Sequence, residues 1–182
     1  MMEQPEINFP ERTSGGEMMN GRILVAYASK AGSTAEIAKK IAQTLSERNV
    51  PVDVLPAGKV NDLSPYSAVV LGSAIRMGAV LPEAVKFIEK NQAALQQKPF
   101  SMFIACMTLH EDNEENRKTV SAYLAPVRAL VKPDSEGLFA GVIDPSKVGL
   151  LERMAIKLVK SPLGDFRKWD EISAWAESIP LG

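Results

Sequence analysis

Five short apolar runs recur along the chain, and between them the apolar residues change period. "RILVAYA" (22–28), "VPVDVL" (50–55), "SAVVLGS" (67–73), "FSMFIACM" (100–107) and "GLFAGVI" (137–143) are bounded by turn residues and carry little polar alternation. Runs of that kind suit strands covered on both faces, the condition of a parallel sheet. After the first run, Ile37, Ala38, Ile41, Ala42 and Leu45 recur at three and four, the spacing of an amphipathic helix. Leu81, Val85, Ile88 and Leu95 predict a second helix with Pro82 in its first turn. Val120, Tyr123, Leu124 and Val127 predict a third, kinked or ended by Pro126. Leu150, Leu151, Met154, Leu158 and Val159, then Trp169, Ile172, Trp175 and Ala176, continue the helical pattern, with the two tryptophans expected to pack the last helix onto the sheet. Only "PAGKVNDLSPY", between the second and third runs, is too short and broken for more than a turn or one helical turn.

Strands alternating with helices through right-handed crossovers predict an α/β three-layer sandwich, a five-stranded parallel sheet with helices on both faces. A chain of 182 residues suits one well-cored domain. We expect it to span residues 21–182, after a polar tail over 1–20 that has no apolar core and so is not a secretory signal. With 46% apolar residues and a formal charge of −1, the composition speaks against nucleic acid as a partner. One cysteine, Cys106, and one histidine, His110, exclude a disulfide framework and a Cys/His zinc site, so no metal is expected and the cytoplasm is the simplest location. No stretch reaches the roughly 20 apolar residues of a membrane span.

Ligands of such sheets sit beyond the carboxyl ends of the strands, which draws attention to "SKAGST" (29–34) between the first strand and the first helix. A helix N-terminus presents unpaired N–H groups and partial positive charge, a seat for phosphate. Gly32 permits close backbone approach, and Ser29, Ser33 and Thr34 offer hydroxyl hydrogen bonds. A second reading needs no ligand: Ser33 and Glu36 fit an S-x-x-E capping box. Capping accounts for Ser33 and Glu36 but for neither Ser29 nor Gly32. Neither G-x-G-x-x-G nor G-x-x-x-x-G-K-[ST] occurs in this loop.

Strand, "SKAGST", helix, and the later "DLSPYSAVVLGSAIRMG" together resemble the flavodoxin family, over most of residues 22–179. The resemblance implies the flavodoxin strand order, FMN as cofactor, and a phosphate wrapped by Ser29, Lys30, Ala31, Gly32, Ser33 and Thr34 in a hydroxyl-x-x-Gly-x-Thr pattern. Ala31 stands where many flavodoxins carry a further hydroxyl. Within the family, "LGSAIRMG", "LERMAIKLVK" and "DFRKWDEISAWAESI" are similar to segments of the bacterial flavodoxin-like, menaquinone-linked protoporphyrinogen oxidases.

With the phosphate after the first strand, the loops after the third and fourth would clasp the isoalloxazine ring. Ser73, Ala74, Ile75, Arg76, Met77 and Gly78 offer backbone groups to it, and Cys106, Met107, Thr108 and His110 line the second loop. Arg76 is a candidate partner for an anionic reduced flavin or a substrate carboxylate, or else a solvated surface arginine. His110 is a candidate for proton transfer, or a loop histidine without a role. Cys106 also reads as a small buried hydrophobe, and "HEDNEEN" (110–116) as a solvated helix start. Neither loop contains Trp, Tyr or Phe, which leaves a ring face open to a substrate. "KVGLLERMAIKLVKSPLGDFRK" (147–168) reads as a helix covering the sheet with snorkelling lysines, or as a basic amphipathic face for peripheral contact with an inner membrane surface that supplies a quinone.

Two functional classes follow. The first is an FMN-dependent oxidoreductase acting on a small molecule, by resemblance protoporphyrinogen IX, with electrons passing to a quinone. The second is an electron carrier that docks on redox partner proteins, or a non-catalytic module of the same fold. Carriers of this kind tend to be strongly acidic, and the near-neutral balance of this chain favours the first.

Overall fold

A computed structural model describes residues 21–143 and 163–182. The expected tail over 1–20 and most of the basic segment over 147–168 lie outside the described residues. In chain order the elements are β1 (Arg22–Ala28), α1 (Ser33–Ser46), β2 (Val52–Pro56), β3 (Tyr66–Arg76), β4 (Ala79–Val80), α2 (Pro82–Leu95) and β5 (Phe100–Ala105). Then come α3 (Glu114–Ala122), α4 (Ala125–Leu130), β6 (Ser135–Phe139), β7 (Val142–Ile143), β8 (Gly164–Asp165) and α5 (Trp169–Ser178).

Five strands pair in parallel in the order β2-β1-β3-β5-β6, the α/β fold that the alternation of runs predicts. Strand β1 alternates between two cores: Leu24, Ala26 and Ala28 face one, Ile23 and Val25 the other. The first core takes Phe87 and Ile88 of α2, Val120 of α3 and Val127 of α4; the second takes Ile37 and Ile41 of α1 and Ile172 and Ala176 of α5. The reason is topological. The crossover from β1 to β2 runs opposite to those leading to β3, β5 and β6, and right-handed crossovers in opposite directions lie on opposite faces.

Local chemistry explains the boundaries. The broken second connection forms a single 3₁₀ turn, Ala57–Lys59. Pro82 opens α2, where its missing N–H leaves no bond unmade. Pro126 stands at the start of α4, so the third helical pattern is two helices rather than one. Two boundaries differ from expectation. Strand β3 continues through Ala74, Ile75 and Arg76 and turns back at Met77 (φ 50°) and Gly78 (φ 74°) into antiparallel β4. Paired positive φ values are the mark of a type I′ hairpin turn, which Asn-Gly would have announced and Met-Gly does not. The run 137–143 also divides, since β6 ends at Phe139 and β7 pairs antiparallel with β8.

Gly72, opposite Phe103 in the β3–β5 ladder, lets the Phe103 ring lie across the strand. A Cβ at Gly72 would stand 2.0 Å from Phe103 Cζ. That ring is fully buried, with centroids 6.3 Å from Phe139 and 6.2 Å from Trp175, so it has little room to yield. Trp175 thus packs onto the sheet as expected, whereas Trp169 is 37% exposed. Gly72→Ala is expected to cost about 2 kcal/mol through overpacking, read as a lower urea midpoint at unchanged slope; an unchanged midpoint would mean that the ring moves freely.

Candidate functional site

The chain reverses direction across the sheet between β1, which leads outward to β2, and β3, which leads to β5. A crevice at such a switch point, beyond the carboxyl ends of the strands, is where doubly wound sheets bind ligands. Register sets the three relevant loops side by side: Ala28 pairs with Ser73, and Ser73 with Ile104. The loops that leave those strand ends carry Ser29–Thr34, the β3–β4 hairpin, and Cys106 to His110.

On the β1 side, Gly32 is the N-cap of α1, with φ 91°, a left-handed conformation that glycine adopts without strain. Ser29 Oγ accepts the Gly32 N–H at 3.0 Å and keeps its own O–H free to donate. Ser33 is the first helical residue, and no side chain caps the helix, so the capping-box reading of Ser33 and Glu36 is not realised. The first intrahelical bond runs from the Glu36 N–H to the Gly32 carbonyl at 3.1 Å, so Ser33, Thr34 and Ala35 present the N–H groups of a first turn. Thr34 is fully buried, and its Oγ1 has no hydrogen-bond partner. A Cβ at Gly32 would meet nothing within 4 Å, so the cradle is open on that side. Lys30 and Ala31 lie at its rim; Lys30 ion-pairs with Glu83 at the start of α2 and holds that carboxyl below its usual range.

On the β3 side, Ser73 is buried and its hydroxyl is committed within the fold, donating to the Ala74 carbonyl at 2.8 Å and accepting the Leu81 N–H at 3.1 Å. It shapes the hairpin base, and only Ala74 to Gly78 reach outward. Ala74 and Ile75 are half-buried, Arg76 and Gly78 exposed, and Met77 fully exposed at the tip. On the β5 side, Cys106 is buried, its N–H bonded to the Phe139 carbonyl at 2.9 Å, as befits a small core residue. Met107, Thr108 and His110 follow in a 3₁₀ turn and are half-buried. His110 Nδ1 lies 2.9 Å from the Met107 carbonyl, and Nε2 lies 3.7 Å from Glu111.

Distant segments bring residues that the loop sequences did not reveal. Tyr123 packs its ring over Gly78, within 3.4 Å of where a Cβ would stand. Phe166 sets its ring 5.7 Å from that of His110 at 74°. Arg167, its side chain 8% exposed, binds Asp165 and Glu36 and lies 4.4 Å over the Trp169 ring. Asp112 receives Arg117 Nε at 2.5 Å and Lys168 Nζ at 3.1 Å. Arg167 and Lys168, the last two basic residues of the segment 147–168, are therefore paired with carboxylates within the fold. No helix among the described residues is long and apolar enough to cross a membrane.

A flavodoxin domain model matches residues 24–169. The chain belongs to the flavodoxin-domain family. The protoporphyrinogen IX dehydrogenase [quinone] of Escherichia coli strain K12 is 24% identical over 170 residues, which cover 87% of this chain and 94% of that protein. Among solved structures, flavodoxin 2 of Bacillus cereus matches with a TM-score of 0.54 at 20% identity, covering 87% of this chain and 97% of the other. The two-electron reduced flavodoxin of Megasphaera elsdenii matches with a TM-score of 0.54 at 13% identity, covering 86% and 98%. At these identities the structural matches speak for the fold, and that fold is flavodoxin-like.

The acidic loop carries a measurable pH signature. Hydrogen bonds from Arg117, opposed by burial and reinforced by Lys168, pull the Asp112 carboxyl down to about 2. A carboxyl depressed in the folded state contributes stability that is complete above its unfolded pKa, near 4, and fades as pH falls toward 2. Asp112→Asn is expected to lose on the order of 1 kcal/mol at neutral pH and to show a flatter stability profile between pH 4 and 2. Parallel wild-type and variant profiles from acid denaturation curves would refute that assignment.

Proposed function

We propose that this chain is an FMN-dependent oxidoreductase that takes electrons from protoporphyrinogen IX or a related small molecule and passes them to a quinone. The observation that carries the flavin reading is Thr34 Oγ1, a fully buried hydroxyl with no partner in the first turn of a helix whose N-cap is a left-handed glycine. A buried hydroxyl left unpaired costs about 1–3 kcal/mol, and a phosphate oxygen in the cradle removes that cost. The residues present fit such a group. Ser29, Ser33 and Thr34 can donate O–H groups, and the backbone of the first turn of α1 adds N–H groups and the positive end of its dipole.

Bound there, FMN supplies hydride and single-electron chemistry. The protein's own task is to hold the ring and govern what reaches it. Ala74, Ile75, Arg76, Met77 and Gly78 offer the backbone of a rigid hairpin to one side of the ring. Cys106, Met107, Thr108 and His110 approach from the other. Arg76 supplies positive charge toward an anionic ring or a substrate carboxylate, and His110 stands in the turn where a proton can be exchanged with solvent. The substrate reading rests on the 24% identity to the Escherichia coli dehydrogenase along nearly its whole length. We place the protein in the cytoplasm, with access to a quinone at the membrane face.

Two outcomes test this. Thr34→Val removes the hydroxyl while keeping the shape, so the FMN-free protein should gain about 1 kcal/mol in stability while FMN affinity falls about tenfold, the worth of one charge-assisted hydrogen bond. Flavin titration and thermal melting of the same two proteins measure both; loss of stability without loss of affinity would remove Thr34 from the phosphate site. For the reaction, the FMN-loaded protein is expected to oxidise protoporphyrinogen with a menaquinone analogue as acceptor. Reduction of a protein partner alone would identify it instead as an electron carrier.

A further inference from the structure

Three consecutive residues, far from the site loops in sequence, fasten onto them. The Phe166 N–H donates to the Gly141 carbonyl at 3.2 Å, and its ring meets that of His110 edge to face. Arg167 grips Asp165 with Nε and Nη2 and reaches Glu36 in α1 with Nη1, its side chain 8% exposed. Lys168 reaches Asp112 at 3.1 Å, just beyond the turn that carries His110. The chain on either side of Phe166 is thereby fixed to three elements at once, although this stretch has almost no regular structure of its own.

The ring-side loops, Ala74–Gly78 and Cys106–His110, contain no Trp, Tyr or Phe. Phe166 is half-buried and already touches one of them, so its remaining surface is apolar and stands beside His110. A flat, polarisable ring system favours aromatic neighbours in edge or offset contact. We propose that Phe166 is a ring-contacting residue of the flavin site, and that Arg167 is its positioning residue. The assignment rests on the flavin reading above. It supplies from the segment after β8 the aromatic surface that the two loops lack.

A contact to the ring and a contact to the phosphate leave different signatures in the full-length protein titrated with FMN and with riboflavin, which lacks the phosphate. Phe166→Ala is expected to weaken both about tenfold, leaving the ratio of the two Kd values as in wild type and shifting the visible band of the bound flavin. Phe166→Tyr is expected to retain wild-type affinity and spectrum. Arg167→Gln is expected to weaken both flavins in the same ratio, and the double variant to be no weaker than Phe166→Ala, because Arg167 acts through Phe166. Should Arg167→Gln fail to fold, Arg167→Lys keeps the charge but loses the bidentate grip and is expected to show the same ratio. Unchanged affinity and spectrum in Phe166→Ala would overturn the contact. A loss confined to FMN in the Arg167 variant would overturn the positioning role and point to Glu36 and the phosphate instead. A wild-type protein that binds neither flavin would overturn the flavin reading, and this one with it.

Discussion

Parallel pairing of β1 with β2 on one side and β3 on the other is the constraint on which the rest of the molecule depends. Each crossover is right-handed, so the two directions of travel away from β1 commit α1 to one face of the sheet and α2, α3 and α4 to the other. The chain leaving Ala28 and the chain leaving β3 therefore part company, and the ground between them cannot be filled by either connection. Register completes the effect, because Ala28, Ser73 and Ile104 stand in one row and their loops begin at the same height. A crevice bordered by a helix N-terminus, a hairpin and a 3₁₀ turn is a consequence of topology before any residue in it is chosen.

What fills that border shows two opposite uses of polar groups. Ser73 is buried and fully engaged, with one bond made and one accepted, and it serves to hold the hairpin base to the start of α2. Thr34 is buried to the same degree and engaged by nothing. Interiors seldom leave a hydroxyl in that state, because the desolvation cost is not recovered. The two residues are equally hidden and differ in what holds them, one by hydrogen bonds and the other by packing alone.

The fold and the glycine-opened turn after β1 were legible in the sequence because both are written in contiguous residues. Apolar runs mark the strands, and Ser29, Gly32 and Thr34 follow β1 within a single turn. The loops after β3 and β5 were legible only in outline. Met77-Gly78 forms a tight turn without the asparagine or aspartate that normally signals one, so residues 74–76 read as loop when they are strand. Ser33 and Glu36 matched a local capping pattern, yet the backbone turn places Gly32 at the cap and leaves Glu36 to pair with Arg167, 131 positions away. Tyr123, Phe166 and Lys168 reach the site by long-range packing, which no local pattern encodes.

That division has a chemical consequence. The glycine-opened turn before α1 is built from one strand end and one helix start, and two ion pairs, Lys30 to Glu83 and Glu36 to Arg167, brace it from outside. The loops after β3 and β5 and the segment after β8 are three separate pieces, and side-chain ties such as Lys168 to Asp112 and Arg167 to Glu36 fasten the last of them in place. Substitutions in those ties can alter the arrangement of these loops while leaving the strands that carry them intact. In such a fold the turn at the start of α1 and the arrangement of the loops beside it are held by different means, one chiefly by backbone and the other by contacts between distant side chains.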